Sequence, residues 1–433
     1  MASSLPKNRT ETTLHDKKPR YTAAEARAEA ERCLYCADAP CIKACPTEID
    51  IPTFIKKIAS GNVLGSATTI FEQNLLGTSC ARVCPVEVLC VGDCVYNGWN
   101  KPPIQIGRLQ RFATETATEG ETKQILVGKA AAKPRRVACI GAGPASLAFA
   151  GTLALAGHKA VLFEKRAVAG GLNTTGIAPY KLHAHDALDE VEWVRKLGVE
   201  IRTGEEVSTE AKAKELLAGF DAVYLGVGLG ADSRLGIPGE DGPGVRGAVE
   251  WIEEMKLGAI DAKALGRVLV IGGGNTAIDV ARECALLGAA SVSMVYRRTR
   301  ADMSGYAHEM QGARIEGVTL IEGAQPAAVV RDAGRVTALR VAGAGGEREL
   351  PCDTIIVAIG QGKLSALAAL FAGVATDKRG CIVADLATGA TGNAQVFAGG
   401  DCINGGKEVV NAVADGRNAA RHLAALWLDA GAT

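Results

Sequence analysis

The 433 residues of this chain are enough for two or three domains, each with its own core, and too many for one. Lys+Arg and Asp+Glu balance at 48 each without a long block of like charge, which argues against nucleic acid or an anionic membrane as partner. The polar N-terminus has no signal-peptide core and no stretch reaches the roughly 18 to 20 apolar residues that span a bilayer, so a soluble cytoplasmic protein is expected.

The chain begins as helix. In "TAAEARAEAERC" and "IPTFIKKIASGNVLGSATTIFEQN" apolar positions recur at helical spacing. Among these segments lie eight of the 13 cysteines, in two sets: Cys33, Cys36, Cys41 and Cys45, then Cys80, Cys84, Cys90 and Cys94. Without a secretion signal they read as metal ligands rather than disulfides. The other five, Cys139, Cys284, Cys352, Cys381 and Cys402, stand singly among apolar or glycine-rich neighbours and are expected as core fillers.

Thiolates suit zinc or iron-sulfur clusters. Zinc ribbons use paired C-x2-C knuckles that close on one ion. Here Cys45 precedes Pro46 and Cys84 precedes Pro85, the ferredoxin style in which the cysteine before proline ligates the other cluster of a pair. Two 4Fe-4S clusters are expected, with zinc as the alternative. On ligand strength alone, Cys80 is the expected partner of the second cluster.

After the linker-like "GKAAAKPRR" the text turns to βαβ grammar: "RRVACIGAG", "PASLAFAGTLALAG", "HKAVLFEK". Gly141 and Gly143 make the tight turn and the close backbone approach that a pyrophosphate needs at a helix N-terminus, opened here by Pro144 and Ala145. Ser146 replaces the third glycine and is small enough to be tolerated. Glu164, followed by Lys165, ends the next strand, where a carboxylate accepts from ribose hydroxyls.

The grammar recurs at "GRVLVIGGG", "NTAIDVARECALLG" and "AASVSMVYRR", with Gly272, Gly274, Asn275, Thr276 and Ala277 at the turn. Its matching strand ends in Arg297, Arg298 and Arg300 instead of an acid. Guanidinium groups bind a 2′-phosphate at about 1.5 to 3 kcal/mol per charge-assisted bond, which favours NADPH and leaves NADH open. Ile359 and Gly360 end a later strand of this unit. In the tail, Gly400 and Asp401 follow a strand, and Glu408, Val409 and Val410 begin a helix whose N-terminus suits the carbonyl edge of a flavin.

The expected architecture is therefore α/β: a helical double-cluster domain over 1–130, an FAD-binding Rossmann-like domain over 131–240 and 362–433, and an NAD(P)H-binding domain over 241–361 inserted in it. From residue 135 onward the layout resembles the flavoprotein disulfide reductases. Those proteins often carry a C-x2-C or C-x4-C beside the flavin; none follows Cys94, so dithiol chemistry is disfavoured.

"RCLYCADAPCIKACPTEIDIPTFIKKI", "CARVCPVEVLCVGDC", "IQIGRLQRFATE", "GAGPASL", "GGGNTAID", "VYRRTRADM" and "AGGDCINGGKEVVNAVADG" resemble the N-terminal half of the dihydropyrimidine dehydrogenase family, most closely its separate bacterial flavoprotein subunits. The resemblance implies a crossed ligand pattern. Cys33, Cys36, Cys41 and Cys94 would hold one cluster; Cys45, Cys84, Cys90 and Gln110 would hold the other, with Cys80 a spectator. It also places Gly171, Leu172, Lys181 and Leu182 near FAD, with Lys181 standing where the family has arginine. The stretch "ADMSGYAHEM" is less similar to the family pattern.

The activity so implied takes hydride from NAD(P)H to FAD and passes electrons through both clusters to an FMN-containing partner subunit that reduces uracil or thymine. Hydride transfer needs ring alignment rather than a protein acid or base, so no catalytic proton carrier is assigned. The alternative is the small subunit of NADPH-dependent glutamate synthase. A non-enzymatic iron-sulfur or zinc scaffold is the rival from another class.

Overall fold

The computed structural model describes residues 5–119 and 125–429; the first four residues of the polar N-terminus lie outside them. The helical part contains α1 (Ala23–Glu31), α2 (Pro40–Lys43), α3 (Ile51–Ala59), α4 (Val63–Phe71), α5 (Gly77–Val83), α6 (Val95–Gly98) and α7 (Ile106–Thr118). A capping box starts α1: Thr22 Oγ1 accepts from Glu25 N at 3.3 Å and Glu25 Oε2 from Thr22 N at 2.8 Å. Asp50 caps α3, whose Ile51, Phe54, Ile55 and Ile58 are buried on one face. That face meets Leu109, Phe112 and Ala113 of α7 in a small core, against which the cysteine loops pack.

The next segment folds as β1 (Arg136–Ile140), α8 (Pro144–Leu155), β2 (Lys159–Glu164), α9 (Leu172–Thr175), α10 (Ala184–Lys196), β3 (Glu200–Thr203), α11 (Glu210–Gly219) and β4 (Ala222–Leu225). These strands pair in parallel and leave one place open beside β4. Before it is filled, a second unit intervenes: β5 (Val245–Gly247), α12 (Ala248–Leu257), β6 (Arg267–Ile271), α13 (Asn275–Leu286), β7 (Ser291–Val295), α14 (Ala307–Ile315), β8 (Thr319–Ile321), β9 (Gln325–Asp332), β10 (Arg335–Gly343), β11 (Gly346–Pro351) and β12 (Thr354–Val357). Its parallel sheet runs β5-β12-β6-β7-β8.

The antiparallel ribbon β9-β10-β11 was not anticipated from the sequence. Its Val329, Leu339 and Val341 cover Leu269, Ile271 and Ile355 of the parallel sheet. The chain then returns through α15 (Ser365–Ala368), β13 (Val396–Ala398), α16 (Asp401–Asn404) and α17 (Val409–Asp429). β13 pairs with β4 and completes the first sheet in the order β13-β4-β1-β2-β3. Long-range closure of this kind gives a five-stranded parallel sheet with helices on both faces.

Among the described residues no helix is long and apolar enough to cross a membrane. The five scattered cysteines are buried, as expected of core fillers.

Candidate functional site

The helical unit gathers its thiols in two sets drawn from both cysteine segments. Cys33 has Cys36 and Cys94 as neighbours, and Cys41 has Cys33, Cys94 and Cys36. Cys84 faces Cys80, Cys90 and Cys45, and Cys90 faces Cys45 and Cys41. Burial and the neighbouring thiols push Cys41 up to about 12, and burial raises Cys33 and Cys90. Cys84 is raised by its bond with Cys80 and by burial. Half-buried thiols crowded together in this way fit a bound metal core, which deprotonates its thiols outright.

Gln110 lies on α7 where that helix crosses α5. Its Nε2 donates to Gly77 O at 2.8 Å, which fixes the amide orientation and turns Oε1 the other way. Cys80 is 2 % exposed and packs with the core of the first nucleotide unit. Cys80 thus stands directly against Cys84 of the second thiol set, while Gln110 is tied one turn away, at the start of α5.

The first glycine turn opens a cleft of about 1170 Å³. Gly141 has φ +86°, and a Cβ there would meet Gly226 O at 2.7 Å, so only glycine makes this turn. Ser146 is fully buried in the third position because the strand opposite offers Gly226, where a Cβ would lie 2.1 Å from Ser146 Oγ. Gly171 approaches Gly143 so closely that a Cβ on it would lie 2.8 Å from Gly143 Cα. A bare backbone cradle at the N-terminus of α8 fits a pyrophosphate.

Pro144, Ala145, Glu164, Lys165, Leu172, Lys181, Gly400, Asp401, Glu408 and Val409 also line this cleft. Glu164 spends one oxygen on Ala142 N and the other on Arg166 N, both at 2.9 Å, which braces the turn and leaves lone pairs on each for a ribose. Burial raises Asp401. Leu182 and Val410 are turned into the core, at 1 % and 2 % exposure. Val83 and Pro85, on either side of Cys84, form part of the same lining.

A second cavity of about 700 Å³ adjoins the first, sharing Thr276, Ile359, Gly360 and Gly406 with it. Gly272, Gly274, Arg297 and Arg298 line it. A Cβ on Gly272 would meet Ala358 O at 2.3 Å and Ala277 Cβ at 3.2 Å, which explains the glycine and the small residue that follows it. Arg298 donates to Tyr296 Oη at 2.8 Å, so its guanidinium is held at the cavity wall. Arg300 lies in an exposed turn outside that lining, with its backbone N–H bonded to Glu322.

At the junction of the units stand Lys181, which the family resemblance placed near FAD, and Lys256 and Tyr306, which escaped sequence reasoning. Lys181 bridges Asp279 at 2.7 Å and Glu309 at 3.0 Å; burial opposes its charge, and the two carboxylates outweigh it and hold it above the ordinary lysine range. Lys256 is fully buried on α12 and donates to the carbonyls of Asn173, Ile177 and Leu182 at 2.7 to 2.9 Å. Burial pulls it down to about 8. Tyr306 reaches across to Glu408, and burial with that carboxylate pushes the phenol up to about 12. Nothing local marked either residue, since Lys256 stands in a helix that also carries Glu250, Glu253 and Glu254 and reads as one more exposed charge.

The family described as dihydropyrimidine dehydrogenase domain II, 4Fe-4S cluster, matches residues 9–122, and the pyridine nucleotide-disulphide oxidoreductase family matches 135–416. The chain is 37 % identical over 403 residues to the NAD-dependent dihydropyrimidine dehydrogenase subunit PreT of Escherichia coli, covering 93 % of this chain and 94 % of that one. It is 34 % identical over 430 residues to the NADPH glutamate synthase small chain of Halomonas elongata, covering 92 % and 90 %. The fold resembles the thioredoxin reductase of T. acidophilum with a TM-score of 0.56 at 23 % identity, over 68 % of this chain and 99 % of that one. These matches make the chain an NAD(P)H-dependent electron-transfer flavoprotein with FAD and 4Fe-4S clusters as cofactors. It belongs to the pyridine nucleotide-disulphide oxidoreductases that carry an N-terminal dihydropyrimidine dehydrogenase cluster domain.

Proposed function

We propose that this chain is the electron-input subunit of a dihydropyrimidine dehydrogenase, acting with an FMN-containing subunit on uracil or thymine in the cytoplasm. One observation carries the reading: the cleft bearing the first glycine turn continues on one side into the Arg297 and Arg298 cavity and on the other touches Val83 and Pro85, which flank Cys84. The contiguity of these three surfaces supports a path from nucleotide to flavin to cluster. When bound, these cofactors supply hydride transfer from nicotinamide to flavin and one-electron transfer through iron and sulfur.

The residues divide the work. Residues 131–240 and 362–433 hold FAD: Gly141, Gly143 and Gly171 admit the pyrophosphate, Glu164 takes a ribose, and the start of α17 faces the flavin. Residues 241–361 hold NADPH or NADH: Gly272 and Gly274 admit the pyrophosphate and Arg298 meets a 2′-phosphate. Residues 1–130 hold the clusters, one on Cys33, Cys36, Cys41 and Cys94, the other on Cys45, Cys84, Cys90 and Gln110. None of the 13 cysteines is joined in a disulfide, which suits a reducing compartment.

The glutamate synthase small chain supports a second reading, because its likeness extends over the same domains. Anaerobic reduction by NADPH and by NADH, followed by flavin absorbance and electron paramagnetic resonance with and without a candidate FMN subunit and uracil, tests the first. Dihydrouracil formed only with that subunit supports it. Co-purification with a large amidotransferase subunit, and glutamate formation, overturns it.

A further inference from the structure

Arg417 sits on α17, the helix whose first residues line the flavin-type cleft. It is only 6 % exposed. Its Nη1 donates to Thr47 O at 2.5 Å, to Gln73 O at 3.1 Å and to Gln73 Oε1 at 3.2 Å. Its Nε and Nη2 donate to Asn418 Oδ1 at 3.1 and 2.9 Å. Every acceptor is a neutral amide oxygen. Among the described residues it has no ion pair with a carboxylate. Glu48 and Cys45 face it from the loop it grips, and Arg421 from its own helix.

A guanidinium so buried is costly unless a negative charge compensates it. The loop it grips supplies the position for one. Thr47 is fully buried and its Oγ1 lies 3.3 Å from Cys45 Sγ. Glu48 N bonds back to Cys45 O at 2.8 Å, and Glu48 takes φ +51° to make the turn. The loop that aims Cys45 is therefore closed by its own backbone and clamped from outside by Arg417.

Resting on the cluster assignment above, we propose that Arg417 is a positioning residue of the second cluster: it clamps the Cys45 loop onto α17 and keeps a fixed positive charge beside the cluster, favouring the reduced form. Reduction adds one electron, drawn from NAD(P)H through FAD, and therefore one negative charge. No proton need move, because a guanidinium stays charged throughout the working pH range. The same side chain thus ties the flavin-facing helix to the cysteine loop and tunes the electron's next stop.

The test is an anaerobic potentiometric titration of the full chain, followed by electron paramagnetic resonance without any partner subunit. R417M is expected to disfavour reduction of one cluster about tenfold, a fall of ~59 mV for a one-electron couple, while the other cluster shifts less. R417K keeps the charge and is expected to retain most of the wild-type potential. R417M with full iron and unchanged potentials overturns the proposal, as does R417K shifting as far as R417M. Loss of iron from R417M moves the test to R417Q, whose amide keeps part of the clamp without the charge; loss from both overturns the charge role. A wild-type chain without a second cluster overturns this proposal and the cluster assignment together. Failure of the dihydropyrimidine reading leaves these potentials untouched.

Discussion

The phenol of Tyr306 donates to Glu408 Oε1 at 2.8 Å, and this bond joins the two dinucleotide units across their shared cleft. Tyr306 follows the second unit's arginine-bearing turn and is itself set by Asn275 Oδ1, which accepts its backbone N–H at 2.9 Å. Glu408 stands just before α17. The bond therefore spaces the nicotinamide side of the cleft from the flavin side, and alignment of two rings is what hydride transfer requires.

A hydrogen bond to a charged group is worth about 1.5 to 3 kcal/mol. Tyr306→Phe is expected to slow flavin reduction by NAD(P)H about tenfold or more while changing the nucleotide Kd less than about threefold. Stopped-flow bleaching of the flavin separates the two. An equal loss in Kd and no loss in rate would assign Tyr306 to binding alone.

Arg297 and Arg298 wall the second cavity without a nearby acid on their strand. Replacing both by alanine is expected to weaken NADPH binding by about ten- to a hundredfold and NADH binding far less. Equilibrium titration with the two nucleotides checks it. Equal weakening of both would mean that the arginines do not read the 2′-phosphate.

Gln110 and Cys80 are the two candidates for the last ligand, Cys80 bonded to Cys84 and the amide of Gln110 pinned by Gly77 O. Gln110→Ala is expected to lose about half of the bound iron, one cubane of the two. Cys80→Ala is expected to keep nearly all of it. Iron analysis with paramagnetic resonance of the reduced protein decides, and the reverse pattern would assign the ligand to Cys80.

Glu190 on α10 accepts from the backbone N–H groups of Thr78 and Ser79 at 2.9 and 3.2 Å and from the Ser79 hydroxyl, tying the first nucleotide unit to the start of α5. Burial pushes its carboxyl up to about 7 from 4.5. The folded chain therefore holds a proton there that the unfolded chain has lost. This contribution is complete below about pH 4.5 and disappears as pH rises through 7. Melting curves from pH 5 to 8 are expected to move in favour of Glu190→Gln relative to wild type, on the order of 1 kcal/mol or more. A difference independent of pH would refute the shift.

Local chemistry was enough for much of this molecule. The glycine turns at Gly141 and Gly272 were legible because a tight turn into a helix leaves few residue types that fit, and the helices of the cysteine region because their apolar positions repeat at helical spacing. The ribbon β9-β10-β11 was not read from the sequence, since strands that mix polar and apolar positions declare themselves only once there is a sheet for them to cover. Leu182 and Val410 were placed at the flavin by their neighbours, yet their side chains face the core, because adjacent positions on a loop or helix point in different directions.

Residue types and spacings were sufficient to show two dinucleotide units, a cysteine-rich segment suited to paired clusters and the order in which they occur along the chain. Which thiols stand together was decided by packing, and the bonds from Tyr306 to Glu408, Lys256 to the 173–182 carbonyls and Arg417 to Thr47 join positions 74 to 370 residues apart. Such contacts exist only once separate elements have packed. No local propensity encodes them, because their energy comes from the partner that folding brings near.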